Sequence, residues 1–184
     1  MLYKYFWLFR TMFLRLRFKR IGLLSYVAKP VFIYGAKGVT IGNKVRIFPG
    51  LRIETHHGGT IVFEDNISIG QNFHVISSGE LLTIGGDTTI SGNVFITNMD
   101  HDYTEIGVHI LRQKYITKTT SVGKNCFIGY GAVLQAGTVL GDQCIVGANS
   151  VVRGQFPAYC VIAGAPAKIV KQYNPETKTW GEPL

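Results

Sequence analysis

An all-β fold of short stacked strands is what this sequence predicts, and three observations carry the prediction. Aliphatic residues recur at every sixth position from Val122: Val122, Ile128, Leu134, Leu140, Val146 and Val152. Four residues after each comes a small side chain (Cys126, Ala132, Thr138, Cys144, Ser150), until Phe156 closes the series. Gly and Asn, which accept positive φ, mark a third phase at Asn125, Gly131, Gly137 and Asn149, with Gln143 and Gln155 at the same phase. A period of six is too short for helical pairs and too regular for ordinary hairpins, whereas strands of about five residues joined by tight corners satisfy it. One such strand cannot bury its inner face, but coils stacked about 4.8 Å apart build a continuous core. The 22 glycines among 184 residues, with no Gly-X-Y period, then mark corners rather than collagen or a flexible chain.

The elements follow in chain order. Residues 1–28 form a basic, aromatic N-terminal segment whose first part reads as a short helix. Lys4, Arg10, Arg15, Arg17, Lys19 and Arg20 alternate there with Leu2, Trp7, Phe9, Phe13 and similar residues. Residues 29–162 form the stacked-coil body. Upstream of Val122 the repeat runs in separate blocks, at Ile41-Gly42, Ile47 and Ile53, at Ile69-Gly70 and Val75, and at Ile84-Gly85, Ile90 and Ile96. The steps between blocks are not multiples of six, so each junction holds an insertion: around 56–66, around 77–82, and a long loop of about 102–120 after His101. Residues 163–184 form a C-terminal turn and tail, with Gly164-Ala165-Pro166 fixing the direction of the turn.

Two segments add a family resemblance to the repeat. Residues 82–101, LTIGGDTTISGNVFITNMDH, resemble the stretch leading to the catalytic His of the galactoside and maltose O-acetyltransferases. Residues 146–152, VGANSVV, with Pro157 and then 163–171, AGAPAKIVK, are similar to the coenzyme A end of the same proteins. The chain thus resembles, over about residues 30–173, the hexapeptide-repeat acetyltransferases, and its basic N-terminal segment and Gln113 loop look most like the bacterial O-antigen and capsule branch. The resemblance implies a left-handed parallel β-helix with three hexapeptides per 18-residue triangular coil. Cys126 and Cys144, 18 apart, would then stack as small core residues. It also implies a homotrimer with the active site between subunits.

The implied activity is transfer of acetyl from acetyl-CoA to a sugar hydroxyl in surface-polysaccharide biosynthesis. An alcohol is a poor nucleophile until its proton is removed, and a His near neutral pKa suits that task. His101 is the expected general base, with Asp100, Asp102 or Glu105 open as the acid that orients it. By the resemblance, Tyr130, Ala148, Arg153, Lys168 and Lys171 line coenzyme A, and cationic side chains suit its phosphates. His74, Ser77, Asn98 and Asp100 are the acceptor candidates, while His56-His57 reads as a surface turn and His109 as solvated loop. Phe127 stands where the sugar acetyltransferases commonly carry Trp, and Ile76-Ser77-Ser78 stands near their acceptor Asn, so galactoside does not transfer as substrate. An N-acetyltransferase acting on an amino sugar and a non-catalytic β-helix scaffold are the alternatives.

Charge and cysteines bound the partners. The formal charge is +8, but six of the 19 bases lie in residues 1–20 without an acid, leaving 13 bases against 11 acids in the body. That distribution excludes nucleic acid as the partner. The segment fits neither a signal peptide, because its bases run through the apolar part, nor a transmembrane helix. It either packs on its own protein or lies peripherally on the inner face of the cytoplasmic membrane. Three cysteines without a CxxC pair fit a reducing cytoplasm. No metal is expected: the five His do not fall at the coil-multiple spacings of a β-helix zinc site such as that of the γ-type carbonic anhydrases.

Overall fold

The computed structural model describes residues 3–182, with side chains from Tyr5 onward. Leu2 and the side chain of Lys4 in the basic segment, and residues 183–184 of the tail, lie outside the described residues. The chain is a left-handed parallel β-helix with one helix, α1 (Tyr3–Leu14), at its N-terminal end. Three sheets form the faces of a triangular prism. The first face stacks Arg20–Ile21, Val39–Ile41, Thr60–Phe63, Leu81–Ile84, Thr120–Val122, Val139–Leu140 and Gln155–Phe156. The second stacks Tyr26–Val27, Arg46–Ile47, Ser68–Ile69, Thr89–Ile90, Phe127–Ile128, Ile145–Val146 and Cys160–Gly164. The third stacks Phe32–Tyr34, Arg52–His56, His74–Ser78, Phe95–Thr97, Val133–Leu134 and Val151–Val152.

The hexapeptide phases appear in the coordinates as registers. Val122 pairs with Leu140 and Ile128 with Val146, each 18 residues on. The six-step aliphatics are buried, and so are Cys126, Ala132, Thr138, Cys144 and Ser150 beneath them. Asn125, Gly131, Gly137, Gln143 and Asn149 all have positive φ, as the corner phase requires. Gln155 departs from the expectation. Leu140 pairs with Phe156 only 16 residues on, so this coil is short and Gly154, at φ 110°, takes the corner instead. Many strands keep only two ladder residues, fewer than the five expected, because the corners consume the rest of each hexapeptide.

The cysteines complete the core. Cys144 Sγ lies 3.5 Å from Cys160 Sγ, and all three thiols are buried. Burial pushes the Cys160 thiol up to about 12, which keeps it protonated and unreactive.

The first coil starts at Arg20, ahead of the boundary expected near residue 29, because Ile21, Tyr26 and Val27 pair with Ile41, Arg46 and Ile47. Helix α1 covers the open end of this coil. Trp7 packs on Tyr26 and Phe48, Leu14 and Phe18 are buried, and Thr11 Oγ1 donates to Trp7 O and accepts from Val27 N at 2.8 Å. The N-terminal segment therefore packs on its own chain, the first of its two readings. Its outer side keeps Phe6, Phe9, Met12 and Phe13 exposed. No helix is long and apolar enough to cross a membrane.

Three coils exceed the 18-residue period, and all add their extra residues at one edge, where the third face passes to the first. Ile41 pairs with Phe63 after 22 residues, with a turn at His57-Gly58. Phe63 pairs with Ile84 after 21, with a turn at Gly79. Ile84 pairs with Val122 after 38, and the surplus leaves the prism after Phe95–Thr97 and returns at Thr120–Val122. The base of this excursion is not irregular, as the sequence suggests, but an antiparallel ribbon of Met99–His101 with Tyr115–Thr117.

Candidate active site

His101 stands on that ribbon, opposite Tyr115 in the ladder, with the two rings edge-to-face at 4.8 Å. The ribbon is fixed at both ends. Asp102 N donates to Lys114 O, and Lys118 N donates to Asn98 O. The tip is tied by Gln113, which is buried: its Nε2 donates to Glu105 O and Val108 O, and its Oε1 accepts from Glu105 N. A buried amide satisfied on three sides by backbone holds a loop rigidly. In the sequence Gln113 carries only the resemblance, and nothing in its spacing announces this clamp.

A cavity of about 290 Å³ opens beside His101, lined by Asp100, His101, Tyr103, Ile116, Lys118 and Arg153. Arg153 Nη2 donates to Asp100 Oδ2 at 2.8 Å, so a residue expected on the donor side and one expected on the acceptor side meet here as one ion pair. Both are partly solvated, so the pair positions more than it stabilises. Lys118 adds a second cation that sequence reasoning missed, because a lone Lys in a loop gives no signal. His101 Nδ1 is buried and has no hydrogen-bond partner among the described residues, which leaves Nε2 as the nitrogen a substrate reaches. None of the three acids considered as its orienter bonds it. Asp100 is taken by Arg153. Asp102 accepts from Thr104 N and Oγ1, which holds its carboxyl below the usual carboxylate range. Glu105 serves Gln113 through its backbone.

Ser77 and Asn98 lie inside the coil rather than on its surface. Asn98 Oδ1 accepts from Ser78 N at 2.8 Å, and its Nδ2 donates to Ser77 Oγ and Ser78 O. Both are fully buried, and they shape the corner that presents Ser78 to His57 Nδ1 at 3.2 Å. His74 sits not at a corner but on the third face, against the Phe95 ring at 4.7 Å. Its Nε2 is 3.5 Å from Glu54 Oε1, within ion-pair reach but too long for a good hydrogen bond.

Glu54 is the centre of a cluster the sequence does not announce. Arg52 Nε donates to its Oε1 at 2.6 Å, and His56 Nε2 meets its Oε2 at 3.1 Å. Burial raises the Glu54 pKa, but the Arg52 and His56 contacts outweigh it and leave the carboxyl below its ordinary 4.5. Burial, helped by Arg52, lowers His74 from 6.5. Both folded values lie below the unfolded ones, so acid protonates the unfolded chain first. The stability these groups contribute is complete above about pH 6.5 and is lost as pH falls, first through His74 and then below 4.5 through Glu54. The melting temperature is therefore expected to fall between pH 7 and pH 5, and His74→Gln to flatten that part of the curve. An unchanged slope in the variant would remove His74 from the account.

The expected coenzyme A residues lie on the last coils. Tyr130, Ala148, Arg153, Lys168 and Lys171 are all exposed. Tyr130 is held by a hydrogen bond from Asn93 Nδ2 to its hydroxyl. After Gly164 the chain reverses, and Ala167–Asn174 runs antiparallel to Cys160–Gly164. Lys168 faces Ala163 and Lys171 faces Val161, with a register shift between Val161 and Ile162. Three residues apart, the two lysines would fall on opposite faces of a regular strand. The bulge returns both to the exposed side, with Ile169 turned inward. Among the described residues no group of three His, Cys, Asp or Glu is arranged to hold a metal ion.

The family model described as the hexapeptide repeat of succinyl-transferase matches residues 119–153. A putative lipopolysaccharide biosynthesis O-acetyl transferase of Escherichia coli K12, WbbJ, is 35% identical over 158 residues, covering 82% of this chain and 80% of that protein. An Escherichia coli dTDP-4-amino-4,6-dideoxy-D-glucose acyltransferase is 28% identical, covering 84% of this chain and 82% of that protein. Among solved structures, the Bacillus cereus N-acyltransferase AntD, in a mutant form bound to dTDP and coenzyme A, superposes with a TM-score of 0.75 over 91% of this chain and 90% of its own, at 18% identity.

Proposed function

The chain belongs to the hexapeptide-repeat acetyltransferases, in their sugar O-acetyltransferase branch, and from that premise we propose that it moves acetyl from acetyl-CoA to a hydroxyl of a surface polysaccharide or its precursor. Neutral His101 carries its proton on buried Nδ1 and offers the Nε2 lone pair. Nε2 takes the acceptor hydroxyl proton as the sugar oxygen attacks the thioester carbonyl. The tetrahedral intermediate then expels the coenzyme A thiolate, which recovers that proton from His101, and no acyl-enzyme forms. Lys118 and the Arg153–Asp100 pair supply positive charge beside the developing oxyanion. Tyr130, Ala148, Lys168 and Lys171 hold the coenzyme along the last coils, and a homotrimer is the proposed assembly. Cytoplasmic acetyl-CoA places the reaction on that side of the membrane.

The single observation that carries this reading is His101 itself, held by a clamped ribbon above a cavity with two cations on its wall. The test is incubation with labelled acetyl-CoA and de-O-acetylated polysaccharide, with mass spectrometry locating the new ester. An ester on a sugar hydroxyl is expected; label confined to hydrolysed acetate would sink the proposal. The aminosugar-nucleotide acyltransferase among the relatives favours a second reading, N-acylation of an amino sugar. A base-stable amide in the same experiment would select it.

A further inference from the structure

Five aromatic rings run in unbroken succession from the third face to His101. Tyr34 stacks on His56 at 4.9 Å with the planes 25° apart. His56 and His57 are 6.3 Å apart, His57 and Tyr115 5.4 Å, and Tyr115 and His101 4.8 Å. The rings come from the first coil, the second coil, its corner turn and the excursion, so the stripe crosses four separate segments. Tyr34, His57 and Tyr115 are exposed, and none of this burial builds core.

Polar groups flank the stripe on one side. Glu54 lies under His56 and is kept ionised by Arg52, which is half exposed and packs over Phe32 at 5.4 Å. Exposed flat rings interleaved with a fixed carboxylate and a guanidinium suit a ligand with apolar ring faces and hydroxyl edges. Pyranose rings are such a ligand: their C–H faces stack on aromatic rings, and their equatorial hydroxyls bond to carboxylate and guanidinium groups. The ionised Glu54 disfavours the diphosphate of a nucleotide sugar along this path.

We propose that this stripe is an acceptor track, on which a carbohydrate chain of several residues lies with its reacting sugar at His101 and its remaining sugars over Tyr115, His57, His56 and Tyr34. The inference rests on the sugar-acetyltransferase reading and narrows it. The acceptor is an assembled oligosaccharide or polymer, and a single sugar fills only the end of the site.

The test uses the surface polysaccharide of the cell that encodes the chain, stripped of acetyl groups by base and cut by mild acid into size-sorted fragments. Binding is measured by calorimetry on the full chain, without acetyl-CoA. Affinity is expected to rise with fragment length. Tyr34→Ala is expected to weaken the longest fragments about tenfold, Tyr34→Phe to retain the wild-type length dependence, and both to keep the wild-type melting temperature. Affinity that is absent, or independent of length, or equally length-dependent in Tyr34→Ala, overturns the track. Acetyl transfer is read separately by mass spectrometry. Transfer without length-dependent binding leaves the enzymatic reading and removes the track, whereas length-dependent binding without transfer does the reverse.

Discussion

Replacing His101 by Ala is expected to cut acetyl transfer by about a hundredfold to ten-thousandfold, the range that a positioned general base contributes. The loss belongs in kcat. Deprotonation of the acceptor hydroxyl occurs only on the way to the transition state, so the KM for acetyl-CoA is expected to stay near the wild-type value. The fold should not respond. His101 lies on the ribbon outside the prism, and its contact with Tyr115 is a surface one. Equal melting temperatures would therefore accompany the kinetic collapse. Turnover within a few-fold of wild type would remove His101 from the chemistry, and a large KM change with normal kcat would make it a binding residue instead.

The contrast between coil and site explains how far the sequence could be read. The coil is legible because each hexapeptide repeats the same physical demand. Ile128 must fill the prism, Ala132 must leave room at its corner, and Gly131 must take positive φ. A demand repeated many times becomes a period. The site has no period. His101 is legible only through its resemblance to a motif, and the ion pair it neighbours joins Asp100 and Arg153, 53 residues apart. Neither the clamp made by Gln113 nor the approach of His57 to Tyr115 has any local signature. Both depend on extra residues in three coils piling up at one edge. The junctions could be counted from broken registers, but their coincidence at that edge is a property of the stack. Ser77 and Asn98 show the same boundary from the other side: polar residues near a functional stretch read as ligand contacts, yet inside the prism they satisfy each other and the backbone.

The largest expected effect on stability comes from one methyl group. Gly85, Gly123 and Gly141 stand in a column at one corner of successive coils. A Cβ on Gly123 would lie 2.5 Å from Gly141 C and 2.6 Å from Gly141 O, and a Cβ on Gly141 would lie 2.4 Å from Ala158 N. These neighbours are backbone, so no rotamer change relieves the contact. The coils cannot separate either, because the same glycines carry the ladder: Gly85 N donates to Val122 O, Gly123 N to Leu140 O and Gly141 N to Phe156 O, at 2.8 to 2.9 Å. Admitting the methyl means stretching these bonds and the parallel pairs beside them. Gly123→Ala is thus expected to cost about 3 kcal/mol, the upper part of the usual overpacking range. For a domain of this length that lowers the melting temperature by roughly 6–12 °C. Gly181→Ala is the matched control, since a Cβ there meets nothing within 4 Å, and it should melt with the wild type. If Gly123→Ala melted within a degree or two of that control, the stacked glycine backbones would not be what sets the coil spacing at this corner.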